Sequence, residues 1–298
     1  MKLFLRQTPE TRWLSGPKEK QFTFSYKDID YEITVEQYVK RQITISSPEI
    51  TTTKNLLDVF YTLDTLLTLF DGQFYSVDSV FENDTEITHS FQCRTLPSYK
   101  TADFMIGAGN ILIDYESVLS AALLRRWVAL REELDLIHKI VLYCVSAVQM
   151  PVDMKCAFMT EAFLGISELV NERKTAFVLP IIQKRESKLK KYLTAIIEYY
   201  GQDVFREECK KNKEQFAQIL TDSRNRIAHT KSKQGRCYLN GEESVLYLSK
   251  LSLLYRVALF DLLEIPEEFY NKKLLRRVDA LNQHQGVVSG FLEKLRYE

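Results

Sequence analysis

The chain has 298 residues, 45% of them hydrophobic and 27% charged, which is the composition of a globular protein and excludes a disordered one. Forty Lys and Arg balance forty Asp and Glu, so bulk charge predicts neither nucleic-acid nor membrane binding, and any such function needs a local patch. The five cysteines are odd in number and form no C-x-x-C pair, which argues against a disulfide framework or a zinc site and fits reduced thiols in the cytoplasm.

The first ten residues hold too short an apolar stretch for a signal peptide. Residues 21–26 alternate polar and aromatic, as a half-buried strand does, and residues 27–30 form the turn to a second strand over 31–35. Residues 41–45 alternate again. Residues 55–70 predict an amphipathic helix, with Leu56, Val59, Phe60, Leu63, Leu66, Leu67 and Phe70 at three- and four-residue steps and Gly72 as its stop. Two more strands are expected over 74–81 and 87–93, packing on that helix as a compact α+β unit. Residues 95–109, with Pro97, Gly107 and Gly109, mark a boundary, so the domains are read as 1–110, mixed α+β, and 111–298, all-helical.

Beyond the boundary the hydrophobic period becomes 3.6. Helices are expected near 115–130, 132–149, 152–172, 180–200, 203–211, 213–228, 242–264 and 283–296, with 266–282 left open. A run of helices with short joints is the pattern of a helical bundle. The apolar run 134–150 carries charges, which favours a buried helix over a membrane span.

Most enzyme motifs are missing. Gly107-Ala108-Gly109 lacks the third glycine and the βαβ context of a nucleotide site, and there is no P-loop, no H-E-x-x-H and no G-x-S-x-G. The four histidines lie far apart in sequence, so neither a metal nor a cofactor is expected. Cys144, Cys156 and His138 fall in apolar helical runs and read as core residues.

What remains is residues 221–236. Arg224, His229 and Asn225 are the candidate catalytic residues, with Asn225 placed to orient the imidazole or bind phosphate. Arg226, Lys231 and Lys233 are candidate RNA-binding cations, with Arg236 adding charge, and Asp222 or Ser223 would be a local polar partner. Ile227-Ala228 suggests an inward-packed side, and the polar run after it suggests that the helix ends there, placing His229 at a helix C-terminus, where the macrodipole favours a cation. An imidazole moves protons near neutrality, and an arginine grips two phosphate oxygens at once. RNA brings its own nucleophile, the 2′-hydroxyl, so this set suits metal-independent phosphodiester cleavage. On a regular helix residues five apart are rotated by roughly 140°. Either the helix breaks near His229, or a two-fold dimer completes the site. Arg131/His138 and Arg277/His284 also satisfy a relaxed Arg-to-His spacing; 224–229 is preferred for Asn225, the small Ala228 and the flanking helices. Lysines and arginines over 184–191 and 210–213 either line the site or are solvated helix surface.

The pattern Arg224-Asn225-x-x-Ala228-His229 resembles the R-N-x-x-x-H motif of HEPN domains, helical bundles that include many metal-independent ribonucleases. The ApeA-like branch is the most similar, with a helix such as 158–172, a basic linker helix, the motif, and a long apolar helix such as 244–265. The N-terminal part also looks like the β-rich domain that precedes HEPN in those proteins. The resemblance implies an α+β protein with a β-rich N-terminal domain and an all-α HEPN-like bundle. It also implies a homodimer, an endoribonuclease leaving a cyclic phosphate with Arg224 and His229 as catalytic pair, and anti-phage defence or a toxin system with an antitoxin or defence partner. The alternative is a HEPN-like dimer that binds RNA or protein without cutting.

Overall fold

The computed structural model describes residues 1–7, 18–37, 41–73, 77–89, 110–145, 150–229 and 236–295. The chain divides into two compact units, Met1–Leu130 and Arg131–Glu298. The first holds an N-terminal antiparallel sheet with helices, and the second is helical.

The sheet is built from β1 (Lys2–Gln7), β2 (Lys18–Tyr26), β3 (Ile29–Gln37), β4 (Arg41–Ser46), β5 (Val77–Glu82) and β6 (Thr85–Glu86), in the order β2-β3-β4-β1-β5-β6. Two-residue turns at Lys27-Asp28 and Asn83-Asp84 close the hairpins, all four residues at positive φ, the backbone that suits the twist of tight hairpins. Alternation sends Phe24, Tyr31, Ile33, Val35, Ile43 and Ile45 to one buried set. Helix α1 (Thr53–Asp71) packs on β1 and β4 through Leu56, Val59, Phe60, Leu63 and Leu67. Thr52 caps its start, and Gly72 ends it in the left-handed conformation (φ 73°) that the sequence predicts for its stop.

Two strand expectations need correction. β1, absent from the sequence reading, lies inside the sheet, pairing Leu5 with Ile43 on one side and with Val80 on the other. Six residues give little periodicity, and burial by two neighbouring strands is a tertiary fact. The strand expected over 87–93 is instead the two-residue β6, because the Asn83-Asp84 turn reverses the chain at once; 90–93 lie outside the described residues, as do 74–76 of the preceding strand and 95–109 of the expected boundary.

Helix α2 (Tyr115–Val118) and the start of α3 (Ala121–Val145) complete the first unit. Trp127, fully buried, donates its Nε1–H to Thr62 O at 2.9 Å, fixing α3 to α1. Arg41 and Asp71 form a buried ion pair at 2.8 Å.

In the second unit α4 (Val152–Arg173) packs against α5 (Lys188–Tyr200), α6 (Arg206–Ala228) and α7 (Gly241–Leu262). Gly165 of α4 lets Ile137 close in, since a Cβ there would stand 2.2 Å from Ile137 Cδ1. Phe216, Tyr247 and Phe291 pack their rings together in tilted and edge-on pairs. Asn240 and Glu243 form a capping box at the start of α7. The segment left open in the sequence holds a 3-10 turn, Glu267–Phe269, and α8 (Asn271–Asn282); α9 (Gln285–Leu292) follows. The helix expected from 180 starts only at Lys188, where Ser187 caps the start, accepting from Lys190 N at 3.3 Å. The break expected near 212 is present: Asn212 leaves helical geometry (φ −169°, ψ 96°) and its Oδ1 accepts from Gln215 N at 2.8 Å, capping the helical turns that carry the motif.

Candidate functional site

Phe216, Ala217, Ile219 and Leu220 bury one face of α6, and that anchoring sets the direction of the next two turns. Arg224 emerges half-buried toward α4, its Nε 2.6 Å from Glu161 Oε2. Its Nη1 donates to Asn225 Oδ1 at 2.9 Å. The guanidinium is therefore held on two edges, by a carboxylate from another helix and by the neighbouring amide, while the side chain keeps 22% exposure. α6 ends at Ala228, and His229 is its C-cap, exposed, with its N–H donating to Asn225 O at 3.0 Å. The helix thus stops where the polar run predicts. No hydrogen bond joins the Arg224 and His229 side chains among the described residues.

The flanking polar residues act locally. Asp222, buried, binds Arg236 Nη1 at 2.7 Å, which neutralises that cation. Ser223 Oγ donates to Ile219 O and accepts from Leu239 N, both within 2.9 Å, tying the segment before α7 to α6. Arg226 lies over the Tyr238 ring, 5.3 Å from its centroid. Ile227 is half-buried, but Ala228 is exposed, so only one of that pair turns inward. Lys231 and Lys233 lie outside the described residues. Beside Arg224 opens a pocket of about 360 Å³, walled by Arg224 and Arg226 on one side and by Asp153 and Ala157 of α4 on the other. Cys156 also lines it, but burial pushes that thiol up to about 12, away from nucleophile or metal-ligand chemistry. Among the described residues no three His, Cys, Asp or Glu side chains cluster as a metal site requires.

Of the other Arg/His pairs, Arg131/His138 is disqualified. His138 is buried with Nδ1 2.9 Å from Tyr255 Oη, and burial, aided by Arg131, pulls its pKa down to about 3. Cys144 is buried too, as its apolar run suggests. The upstream basic clusters are largely neutralised: Lys188 pairs with Glu168, Lys191 with Glu186 and Lys213 with Glu198, all within 3.1 Å, so these read as solvated helix faces. Glu161 and Tyr238 escaped the sequence reading. Glu161 has a signal in retrospect, a carboxylate set between the buried Thr160 and Ala162 on an apolar helix.

No helix among the described residues is long and apolar enough to cross a membrane. No curated protein and no solved structure matches the chain. The model of the Apea-like HEPN family matches residues 157–269, a span that holds Glu161, Arg224, Asn225 and His229. This part of the chain is an Apea-like HEPN domain.

Proposed function

We propose that the protein is a metal-independent endoribonuclease whose catalytic pair is Arg224 and His229. The HEPN family is generally associated with ribonucleases and with defence, which supports the reaction class. The observation that carries the assignment is Arg224 itself, half-buried, clamped by Glu161 and Asn225, and five residues before an exposed helix-terminal histidine. In the reaction the 2′-oxygen bonds to phosphorus as its proton leaves, the bond from phosphorus to the 5′-oxygen breaks, and that oxygen takes up a proton. The products are a 2′,3′-cyclic phosphate and a 5′-hydroxyl, with no redox change. Arg224 stabilises the charge growing on the phosphate, and His229 carries a proton, as base or as acid. Asn225 orients Arg224. Arg226, Lys231 and Lys233 bind the flanking phosphates.

The partner needed to complete the acid–base pair is a second copy. Met154 and Phe158 stand one turn apart and exposed on α4, the helix that supplies Glu161, and such an exposed apolar pair suits a two-fold contact. An antitoxin or defence partner would restrain the dimer in the cytoplasm. One observation favours the second reading, a dimer that binds RNA without cutting: Glu161 already occupies an edge of Arg224. Incubating mixed RNA with the protein in EDTA separates the two. The enzyme reading expects cleavage that persists in chelator and falls by roughly 10²–10⁴-fold in His229→Ala, and also falls in Arg224→Ala with the oligomer intact by light scattering. Binding without cleavage by the unaltered protein would leave only the second reading.

A further inference from the structure

The pocket beside Arg224 has no part in the proton transfers above, yet its walls are chemically specific. Arg224 and Arg226 supply two cations on one side, and Ala157 and Leu239 are apolar. Tyr238 offers an aromatic face on which the Arg226 guanidinium already lies at 5.3 Å. On the α4 side stands Asp153, exposed and without a hydrogen-bond or ion-pair partner among the described residues. A volume of about 360 Å³ is at the lower end of small-ligand sites, room for one nucleoside.

These features match the parts of a nucleotide. A base is flat and stacks on tyrosine rings and guanidinium planes, so it would extend the stack that Tyr238 and Arg226 have begun. A carboxylate only accepts hydrogen bonds, so Asp153 selects a base edge rich in N–H donors. Guanine alone presents a ring N–H beside an exocyclic amino group, which together satisfy both carboxylate oxygens. Arg224, in the wall, then faces the phosphate attached to that nucleoside.

We infer that this pocket seats the nucleobase next to the scissile phosphate and that guanine is the base it fits best. The inference rests on the ribonuclease reading for the word scissile, but the binding it asserts is measurable without cleavage. Calorimetric titration of the full chain with guanosine 3′-monophosphate and uridine 3′-monophosphate tests it, alongside mapping of cut sites in a defined RNA. The expected result is one guanosine nucleotide per chain, bound at least about tenfold tighter than the uridine nucleotide, with cuts next to guanosine. Tyr238→Leu should weaken guanosine nucleotide binding by roughly 5- to 140-fold, the range that loss of one base stack gives. Tyr238→Phe, which keeps the ring, should bind as the unaltered protein does. Asp153→Asn should erase the preference for guanosine, with the melting temperature unchanged. Cuts that depend on Arg224 but ignore base identity, with Tyr238→Leu cutting normally, would overturn the pocket and leave the ribonuclease reading standing. Selective guanosine nucleotide binding by a protein that cuts no RNA would do the reverse, supporting the pocket as a nucleotide site while the ribonuclease reading fails.

Discussion

A guanidinium in water is mobile and fully hydrated; Arg224 is neither. Glu161 and Asn225 fix its plane, which in the proposed reaction would lower the ordering cost. His138 shows the opposite treatment of an ionisable side chain. Burial holds its pKa at about 3, so the folded protein carries it neutral, whereas the unfolded chain takes up its proton below about 6.5. The stability it contributes is therefore complete above pH 6.5 and is lost as pH falls from there toward 3, at up to about 1.4 kcal/mol per pH unit. Urea unfolding at pH 7 and pH 5.5 should show the unaltered protein losing about 1 kcal/mol more than His138→Gln over that interval. Equal losses in both would contradict the assignment. The Arg224–His229 spacing was legible in the sequence because the two residues stand five apart at the end of one helix, Arg224 within α6 and His229 as its C-cap. Glu161 and Tyr238 were not, because they reach the site from other segments and only packing brings them there.

At the scale of elements, the long helices were the most legible part. α4 and α7 bury broad apolar faces, so their period survives in the sequence, and the Asn212 break in α6 was visible as a polar interruption between two helical runs. β1 and the late start of α5 were not, since one depends on neighbouring strands and the other on a cap that follows an apolar, proline-containing stretch. α6 is also locked to α7 by charge. Glu208 and Lys250 are fully buried, paired at 2.6 Å, with Tyr247 Oη donating to the same carboxylate oxygen at 3.0 Å. Lys250→Met would strand the Glu208 carboxylate in the core, and breaking such a pair from one side costs about 3–5 kcal/mol. Denaturant unfolding should show that loss, and Lys250→Met with Glu208→Leu should recover most of it. A single variant as stable as the unaltered protein would show that this pair does not anchor α6.

For the whole molecule, charge sets the manner of binding. The formal net charge is zero, and among the described residues Lys188, Lys191 and Lys213 pair with neighbouring carboxylates, so bulk charge does not predict nucleic-acid binding. In the proposed ribonuclease, recognition would fall to the cations around α6 and to the pocket beside Arg224, which suits cleavage at selected positions more than general degradation. The proposed reaction is 2′-hydroxyl attack without a metal, and the ends of the RNA products report that step directly. Products made in EDTA should carry a 2′,3′-cyclic phosphate and a 5′-hydroxyl, whereas a 3′-hydroxyl with a 5′-phosphate would mean that water or another nucleophile, and not the RNA itself, attacks the phosphorus.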